Sequence, residues 1–160
     1  QLIIDSAIEL SKEYKNFQVD FFGKVDEDYQ SFHTQVKEYD FLHYKGFIDL
    51  RNEKNYEILA SYNCMLFPTF WEGDGYAGVL VDAMIAQLPV IASNWNFNKE
   101  IINHNQNGWL ISPKSKEELQ NAMKEIIYNP EILRKFELET IKNISKYDIS
   151  KAFFDIIKNS

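Results

Sequence analysis

The chain has 160 residues, of which 45% are apolar and 15% aromatic, so it fits one globular domain with a substantial core and not a disordered chain. The net charge of -7 argues against a broad surface for nucleic acid, and no apolar run reaches the roughly 20 residues needed to span a bilayer. The single cysteine, Cys64, excludes an internal disulfide and fits a cytoplasmic location.

Strands and helices are expected to alternate along most of the chain. Short apolar or aromatic runs predict strands over residues 17–22, 41–45, 64–67, 90–92 and 109–111. Apolar residues at helical spacing predict helices over residues 2–15, 26–36, 55–61, 98–102, 115–127 and 130–144, one through Asp82, and a last one from Asp148. The alternation predicts an α/β fold, a Rossmann-like parallel sheet with helices on both faces.

Polar residues mark the starts of several of these helices. Asp26 is expected to cap the second helix. Ser115 and Glu118 have the spacing of a capping box, and Asn129 before Pro130 indicates another helix start. The C-terminal third is therefore predicted to be helical.

Small residues follow three of the predicted strands: Gly23, Gly46 and Pro68. In parallel sheets covered by helices, ligands bind beyond the carboxyl ends of the strands. The fold and these loop residues therefore predict a binding site at one edge of the sheet.

The loop after the third predicted strand has the features of an anion site. It contains Gly73, Gly75 and Gly78 and leads into the helix that carries Asp82. Glycines let the backbone approach a ligand closely, and a helix N-terminus offers free N–H groups and a positive dipole to an anion. Asp74 and Asp82 lie at the two ends of this junction, where their carboxylates are suited to bind sugar hydroxyls.

Asp74 and Asp82 are separated by seven residues within Pro-Thr-Phe-Trp-Glu-Gly-Asp-Gly-Tyr-Ala-Gly-Val-Leu-Val-Asp-Ala-Met. With Leu-Pro-Val-Ile-Ala-Ser, Asn-Lys-Glu-Ile-Ile from Asn98 and Asn-Gly-Trp-Leu-Ile from Asn107, this pattern resembles the retaining GT-B glycosyltransferases of the glycosyl transferases group 1 family. The resemblance extends over residues 1–160. It implies one nucleotide-sugar-binding C-terminal domain from a longer enzyme.

The resemblance also implies roles for individual residues. Asp74 would bind hydroxyls of the transferred sugar and Asp82 the ribose hydroxyls of the nucleotide, and these two are the candidate catalytic residues. The backbone N–H groups that would meet sugar and phosphate belong to Gly75, Tyr76, Ala77, Gly78 and Val79. The loop that would lie against the base is Gly46, Phe47 and Ile48.

The implied reaction transfers a sugar from a nucleotide-diphosphate donor to a glycan or lipid-linked acceptor with retention at the anomeric carbon, in cell-surface polysaccharide synthesis. The leaving diphosphate helps to deprotonate the acceptor, and no metal cofactor is implied. The acceptor-binding domain and any attachment to the inner membrane face are expected outside this chain. The isolated chain is therefore expected not to transfer sugar.

Three features depart from the family pattern. Both acids are Asp where the family usually has Glu, and Gln87 stands where a glycine usually follows the helix. A left-handed residue other than glycine costs about 1 kcal/mol. The family's first strand and its diphosphate-binding Arg and Lys would precede Gln1. The second and fourth family strands would then pair directly, or a neighbouring chain would fill the gap.

Other polar and aromatic residues have simpler interpretations. Acids at positions 26–28 match a metal motif of another fold, but at a helix start they stabilise the dipole. The histidines lack metal-ligand spacing, and the cysteine has no cation beside it in sequence. The residues expected to have packing, capping or solvent-exposed roles are Lys24, Asp26, Glu27, Asp28, His33, His43, Arg51, Cys64, Trp71, Glu100 and His104. Glu100 also matches an acid of the family pattern, so a ligand role stays open for it, and stacking on a base or sugar stays open for Trp71.

Two other functions stay open. A non-catalytic α/β module, such as a receiver-like signalling domain, needs a lysine after a late strand, whereas Ser93 and Asn94 stand there. A nucleotide-binding domain without transfer activity is compatible with aspartate at both acidic positions.

Overall fold

The computed structural model describes residues 1–25, 29–71 and 78–146, without the side chains of Gln30 and residues 143–146. The strands are β1 (Val19–Phe22), β2 (Leu42–Gly46), β3 (Met65–Phe67), β4 (Val90–Ser93) and β5 (Gly108–Ile111). The helices are α1 (Leu2–Leu10), α2 (Gln30–Lys37), α3 (Tyr56–Ala60), α4 (Gly78–Ile85), α5 (Asn98–Ile101), α6 (Lys116–Tyr128) and α7 (Glu131–Lys146). The five predicted strands are thus confirmed to within two residues at each end.

All strand pairs in this part of the chain are parallel, as predicted. β1 pairs with β2, with Val19 opposite Leu42. β4 lies between β3 and β5, with Val90 opposite both Met65 and Gly108. Each of the connections from β3 to β4 and from β4 to β5 passes through a helix, which is the βα unit of a Rossmann-like fold.

The sheet is divided between β1 and β3, which do not pair in the residues that the structure describes. A groove of about 1040 Å³ lies between these strands, and its lining includes Phe21, Phe22, Met65 and Phe67. The second and fourth family strands correspond to β1 and β3 here. Direct pairing of these two strands was one of two alternatives, and it is wrong. Apolar side chains of both sheets, including Phe21 of β1 and Leu66 of β3, pack against one shared apolar cluster instead.

Two apolar clusters cover opposite faces of the sheets. Successive residues of a strand point to opposite faces, and β4 shows this alternation because Ile91 packs in one cluster while Val90 and Ala92 pack in the other. The first cluster joins α1, α6 and α7, and the second joins α3, α4 and α5. Helices therefore cover both faces, as the alternating sequence predicts.

Several helix boundaries differ from those expected. α1 ends at Leu10, not at residue 15, and the Ser11 hydroxyl donates to the Ile8 carbonyl at 2.8 Å in the turn that follows. The Ser115 hydroxyl accepts from the Glu118 N–H at 3.2 Å, but Glu118 accepts from the Ser112 N–H, so only half of the capping box forms.

Two further expectations concern the ends of the C-terminal helices. The Asn129 side-chain amide donates to a Glu125 carboxylate oxygen at 2.7 Å, and at the start of α7 its backbone carbonyl accepts from the Ile132 N–H at 3.0 Å. The helix expected from Asp148 and the cap expected from Asp26 lie outside the described residues. None of the described helices is long and apolar enough to cross a membrane.

Gln87 adopts the left-handed conformation expected for it, with φ of 58°. Its N–H donates to the Met84 carbonyl at 2.9 Å, and the Leu88 N–H donates to the Ala83 carbonyl at 2.8 Å. These two bonds end α4 in a Schellman motif, which usually has glycine at this position.

We expect Gln87→Gly to raise the free energy of unfolding by about 1 kcal/mol, because glycine adopts this conformation without a Cβ clash. Urea unfolding of the variant measures the change. Gln87→Ala is the matched control and should leave stability nearly unchanged, since alanine keeps the Cβ. A less stable glycine variant would show that the Gln87 side chain contributes more than the backbone costs.

Candidate functional site

The candidate site lies at the carboxyl edge of the parallel strands. Gly23 and Pro68 follow β1 and β3 there, as predicted, and Gly46 is the last residue of β2. Because β3 and β4 are parallel, the helix between them must start at the carboxyl edge and run back, which places Gly78 at this edge. The strand ends and the start of α4 therefore face the same side of the domain.

Asp82 lies in the second turn of α4 and is half-buried. Its Oδ1 accepts a hydrogen bond from the Tyr56 hydroxyl at 2.6 Å. Burial, the bond to Asp82 and the charge of Glu53 together raise the pKa of Tyr56. The phenol is therefore neutral near pH 7 and acts as a permanent donor to this carboxylate.

The loop after β2 turns sharply at Gly46, whose φ of 77° favours glycine. The turn leaves the Phe47 ring 62% exposed, with the Lys24 ammonium 5.6 Å from its centroid. Ile48 packs instead against the apolar cluster beneath the loop. The Tyr44 hydroxyl donates to the Gly23 carbonyl at 2.8 Å and so ties the ends of β1 and β2 together. An exposed aromatic face at this edge is suited to stack on a planar ring.

The first turn of α4 supplies the described part of the predicted anion site. Gly78 and Val79 are its first two residues, and Val79 is 37% exposed. A Cβ added to Gly78 would meet no atom within 4 Å, so no described atom crowds this backbone. Four predicted site residues lie outside the described part of the chain: Asp74, Gly75, Tyr76 and Ala77.

The two loops that follow β3 and β4 are joined by a contact that the sequence did not predict. The Trp95 indole N–H donates to the Trp71 carbonyl at 3.1 Å. The Trp71 ring is 69% exposed, and the Trp95 indole makes the tie between the loops. Phe70 next to it is 44% exposed, and Lys114 lies 4.7 Å from its ring centroid.

A polar cluster is centred on Asp20, the second residue of β1. The Asp20 carboxylate accepts from the Tyr62 hydroxyl at 2.6 Å, its other oxygen bonds His43 Nδ1 at 2.9 Å, and Lys45 lies at 3.5 Å. Burial alone would raise the pKa of Asp20, but these bonds and the Lys45 charge hold it below its usual value. The His43 side chain therefore has an ordinary packing role, as expected.

The remaining polar candidates also have structural roles. His104 Nδ1 accepts from the Leu110 N–H at 3.0 Å, and Arg51 is exposed and paired with Asp49 at 2.7 Å. Burial raises the pKa of the Cys64 thiol to about 12, which makes it inert at neutral pH, as predicted. Glu100 is exposed in the first turn of α5. The described residues hold no group of histidine, cysteine and acidic side chains arranged to bind a metal ion.

Tyr56 is the site residue that sequence reasoning missed. It precedes Asp82 by 26 residues and lies on a different helix. No short motif links positions so far apart, and an aromatic residue at the start of a helix is usually a packing residue. Its role follows only from the packing of α3 against α4.

The sequence profile of the glycosyl transferases group 1 matches residues 1–144. No curated protein sequence matches the chain significantly. Among solved structures, the chain is similar to the C-terminal domain of a glycosyl transferase group 1 family protein (LpcC) from Francisella tularensis. The two are 21% identical with a TM-score of 0.72, and the match covers 91% of this chain and 77% of that one.

Two longer proteins have similar folds. Alr3699/HepE from Anabaena, solved with UDP and glucose, is 19% identical with a TM-score of 0.74 over 99% of this chain and 44% of that one. A TarM variant from S. aureus, solved with Fondaparinux, alpha-GlcNAc-glycerol and UDP, is 19% identical with a TM-score of 0.77 over 99% of this chain and 31% of that one. The chain thus spans less than half the length of either. The match over residues 1–144 shows that it belongs to the glycosyl transferases group 1 family, with the fold of the C-terminal half of a GT-B glycosyltransferase.

Proposed function

We propose that this domain binds the nucleotide-diphosphate sugar donor of a retaining glycosyltransferase. The observation that carries the proposal is the position of Asp82, a half-buried carboxylate in the second turn of a helix that starts at the carboxyl edge of a parallel sheet. Family membership supports it, and so do the UDP complexes of proteins with the same fold. The base and the sugar of the donor are open in this proposal.

The proposed donor lies along the carboxyl edge. Its base stacks near Phe47, which is exposed beside the positive φ of Gly46. Its ribose hydroxyls donate to Asp82, and its phosphates meet the free N–H groups at the start of α4, where the helix dipole favours an anion. Asp74 binds the transferred sugar, with Gly75, Tyr76 and Ala77 supplying further backbone N–H groups, as the resemblance implies.

The proposed reaction transfers the sugar to a glycan or lipid-linked acceptor with retention at the anomeric carbon, in cytoplasmic synthesis of cell-surface polysaccharide. The leaving diphosphate takes the acceptor proton, so the step needs no metal ion and no separate general base. A second domain holds the acceptor. The proposed role of this chain is to orient the donor and to stabilise charge on the diphosphate.

Thermal unfolding of the 160-residue chain with UDP-, GDP- and ADP-sugars tests the proposal. A ligand at a hundred times its dissociation constant should stabilise the domain by about 2.7 kcal/mol. That free energy corresponds to a rise in Tm of roughly 5 to 10 °C for a domain of this size. The matching nucleosides without phosphate are the control and should stabilise much less. Absence of a shift with all three nucleotide sugars would contradict the proposal and favour a signalling or scaffolding role.

A further inference from the structure

The hydrogen bond between Tyr56 and Asp82 restrains one half of the carboxylate. The distance from Tyr56 Oη to Asp82 Oδ1 is 2.6 Å. This distance is short for a hydrogen bond between two neutral groups and typical of a hydroxyl that donates to a carboxylate. Only this Oδ1 bond joins Asp82 to another side chain in the described part of the structure. The second oxygen, Oδ2, is the one that a ligand can use.

We propose that Tyr56 is a positioning residue that holds Asp82 in the orientation that presents Oδ2 to a ribose hydroxyl. This inference rests on the proposed function, because it assumes that Asp82 binds the ribose of a nucleotide. It names Tyr56 as the group that makes this carboxylate selective for ribonucleotides. Tyr56 itself does not contact the nucleotide. It acts by fixing the side-chain rotation of the residue that does.

The position of Tyr56 suits this task. It is the first residue of α3, and its ring packs against the apolar cluster that includes Leu80 and Ala83 of α4. The 3₁₀ turn before it, Glu53–Asn55, is capped by Asn52, whose side chain accepts from the Lys54 N–H. Both the ring and the backbone that carries it are therefore held, so the hydroxyl is a fixed donor.

The protonation states also fit. Because burial and the nearby carboxylate raise the pKa of Tyr56, its hydroxyl keeps its proton at every pH at which the domain would work. A ribose hydroxyl is a donor, so it complements Oδ2 while the phenol occupies Oδ1.

The chain contains a matched tyrosine for comparison. The Tyr62 hydroxyl donates to Asp20 Oδ2 at 2.6 Å, the same distance as at Asp82, and burial and this bond raise the pKa of Tyr62 to about 12. Asp20 lies on β1, within the polar cluster. Tyr62→Phe therefore removes an equivalent hydrogen bond while leaving the bond between Tyr56 and Asp82 in place.

The test measures discrimination between a ribonucleotide and its 2′-deoxy form, for whichever of UDP, GDP or ADP binds the wild-type chain best. Calorimetric titration of the wild-type chain should show binding about tenfold weaker for the 2′-deoxy form, as expected for one hydrogen bond to a charged group. In Tyr56→Phe the ribonucleotide should bind several-fold more weakly, and the tenfold ratio should fall towards one. In Tyr62→Phe the ratio should stay at the wild-type value.

An unchanged ratio in Tyr56→Phe would overturn the inference while leaving nucleotide binding intact. If the wild-type chain binds none of the three nucleotides, the proposed function fails and the inference fails with it. Asp82→Ala provides a second variant in case Tyr56→Phe does not fold. It removes both carboxylate oxygens, so no bond to the ribose hydroxyl is left and the ratio should fall to about one; a retained tenfold ratio would overturn the inference.

Discussion

Asp82→Ala is expected to weaken nucleotide binding by about 10- to 100-fold, which corresponds to the loss of one or two hydrogen bonds to a charged group. The variant removes both carboxylate oxygens, so it affects the ribose and also leaves the Tyr56 hydroxyl without its partner. The unpaired hydroxyl should lower the free energy of unfolding by about 1 kcal/mol. Calorimetric titration with the nucleotide that binds best measures the change in affinity.

Asp40→Ala is the matched control for this variant. Asp40 is exposed and precedes β2, so it lies near the amino ends of the strands, opposite the candidate site. Its removal should leave affinity unchanged. Equal affinity in Asp82→Ala and Asp40→Ala would show that Asp82 does not bind the donor.

In the complete enzyme, we expect Asp74→Ala to lower turnover more than it lowers affinity, because Asp74 is proposed to bind the transferred sugar.

Gly108→Ala is expected to lower the free energy of unfolding by about 3 kcal/mol, the upper range for a methyl group forced into a packed interior. A Cβ at this position would stand 2.3 Å from the Val90 carbonyl oxygen and 3.2 Å from the Ile102 side chain. Val90 and Gly108 are opposite each other in the parallel pair of β4 and β5. Neither strand can move away without losing ladder hydrogen bonds. Urea unfolding measures the loss.

Gly78→Ala provides the comparison for stability. A Cβ at Gly78 meets nothing within 4 Å, and alanine favours a helix over glycine by about 1 kcal/mol, so this variant should be as stable as the wild type or more stable. If Gly108→Ala is also as stable as the wild type, the close approach of β4 and β5 is not tight. Both variants replace glycine by alanine and so change the conformational freedom of the unfolded chain in the same way. That effect therefore does not explain a difference in stability between them.

The alternation of apolar runs and helical patterns was sufficient to predict the fold. All four residues of β4, Val90–Ser93, are buried, so both faces of this strand are covered, and this burial requires helices on each side. Asn107 directly precedes β5, and the role of its side chain needed coordinates. Asn107 accepts from the Asn103 N–H at 2.7 Å and donates to the Ile101 carbonyl at 3.0 Å, so its side chain closes the loop between α5 and β5.

The parts of the site that the sequence could not predict depend on contacts between distant segments. The bond from Tyr56 to Asp82 and that from Trp95 to Trp71 join residues 26 and 24 positions apart, and neither pair forms a motif. The gap between β1 and β3 was equally hidden, because a sequence pattern specifies which residues form strands but not which strands pair. Local signals such as Gly46 and Gln87 were correct because each depends on the backbone of one residue.

Nuclear magnetic resonance of the ¹⁵N-labelled chain, titrated with the best-binding nucleotide sugar, is the most direct test that the donor binds at the carboxyl edge. We expect the largest chemical-shift changes at the backbone amides of Gly46, Phe47, Gly78 and Val79, with little change at Asp40. Saturable changes centred at the amino edge of the strands, or no changes at all at millimolar ligand, would contradict donor binding at this site.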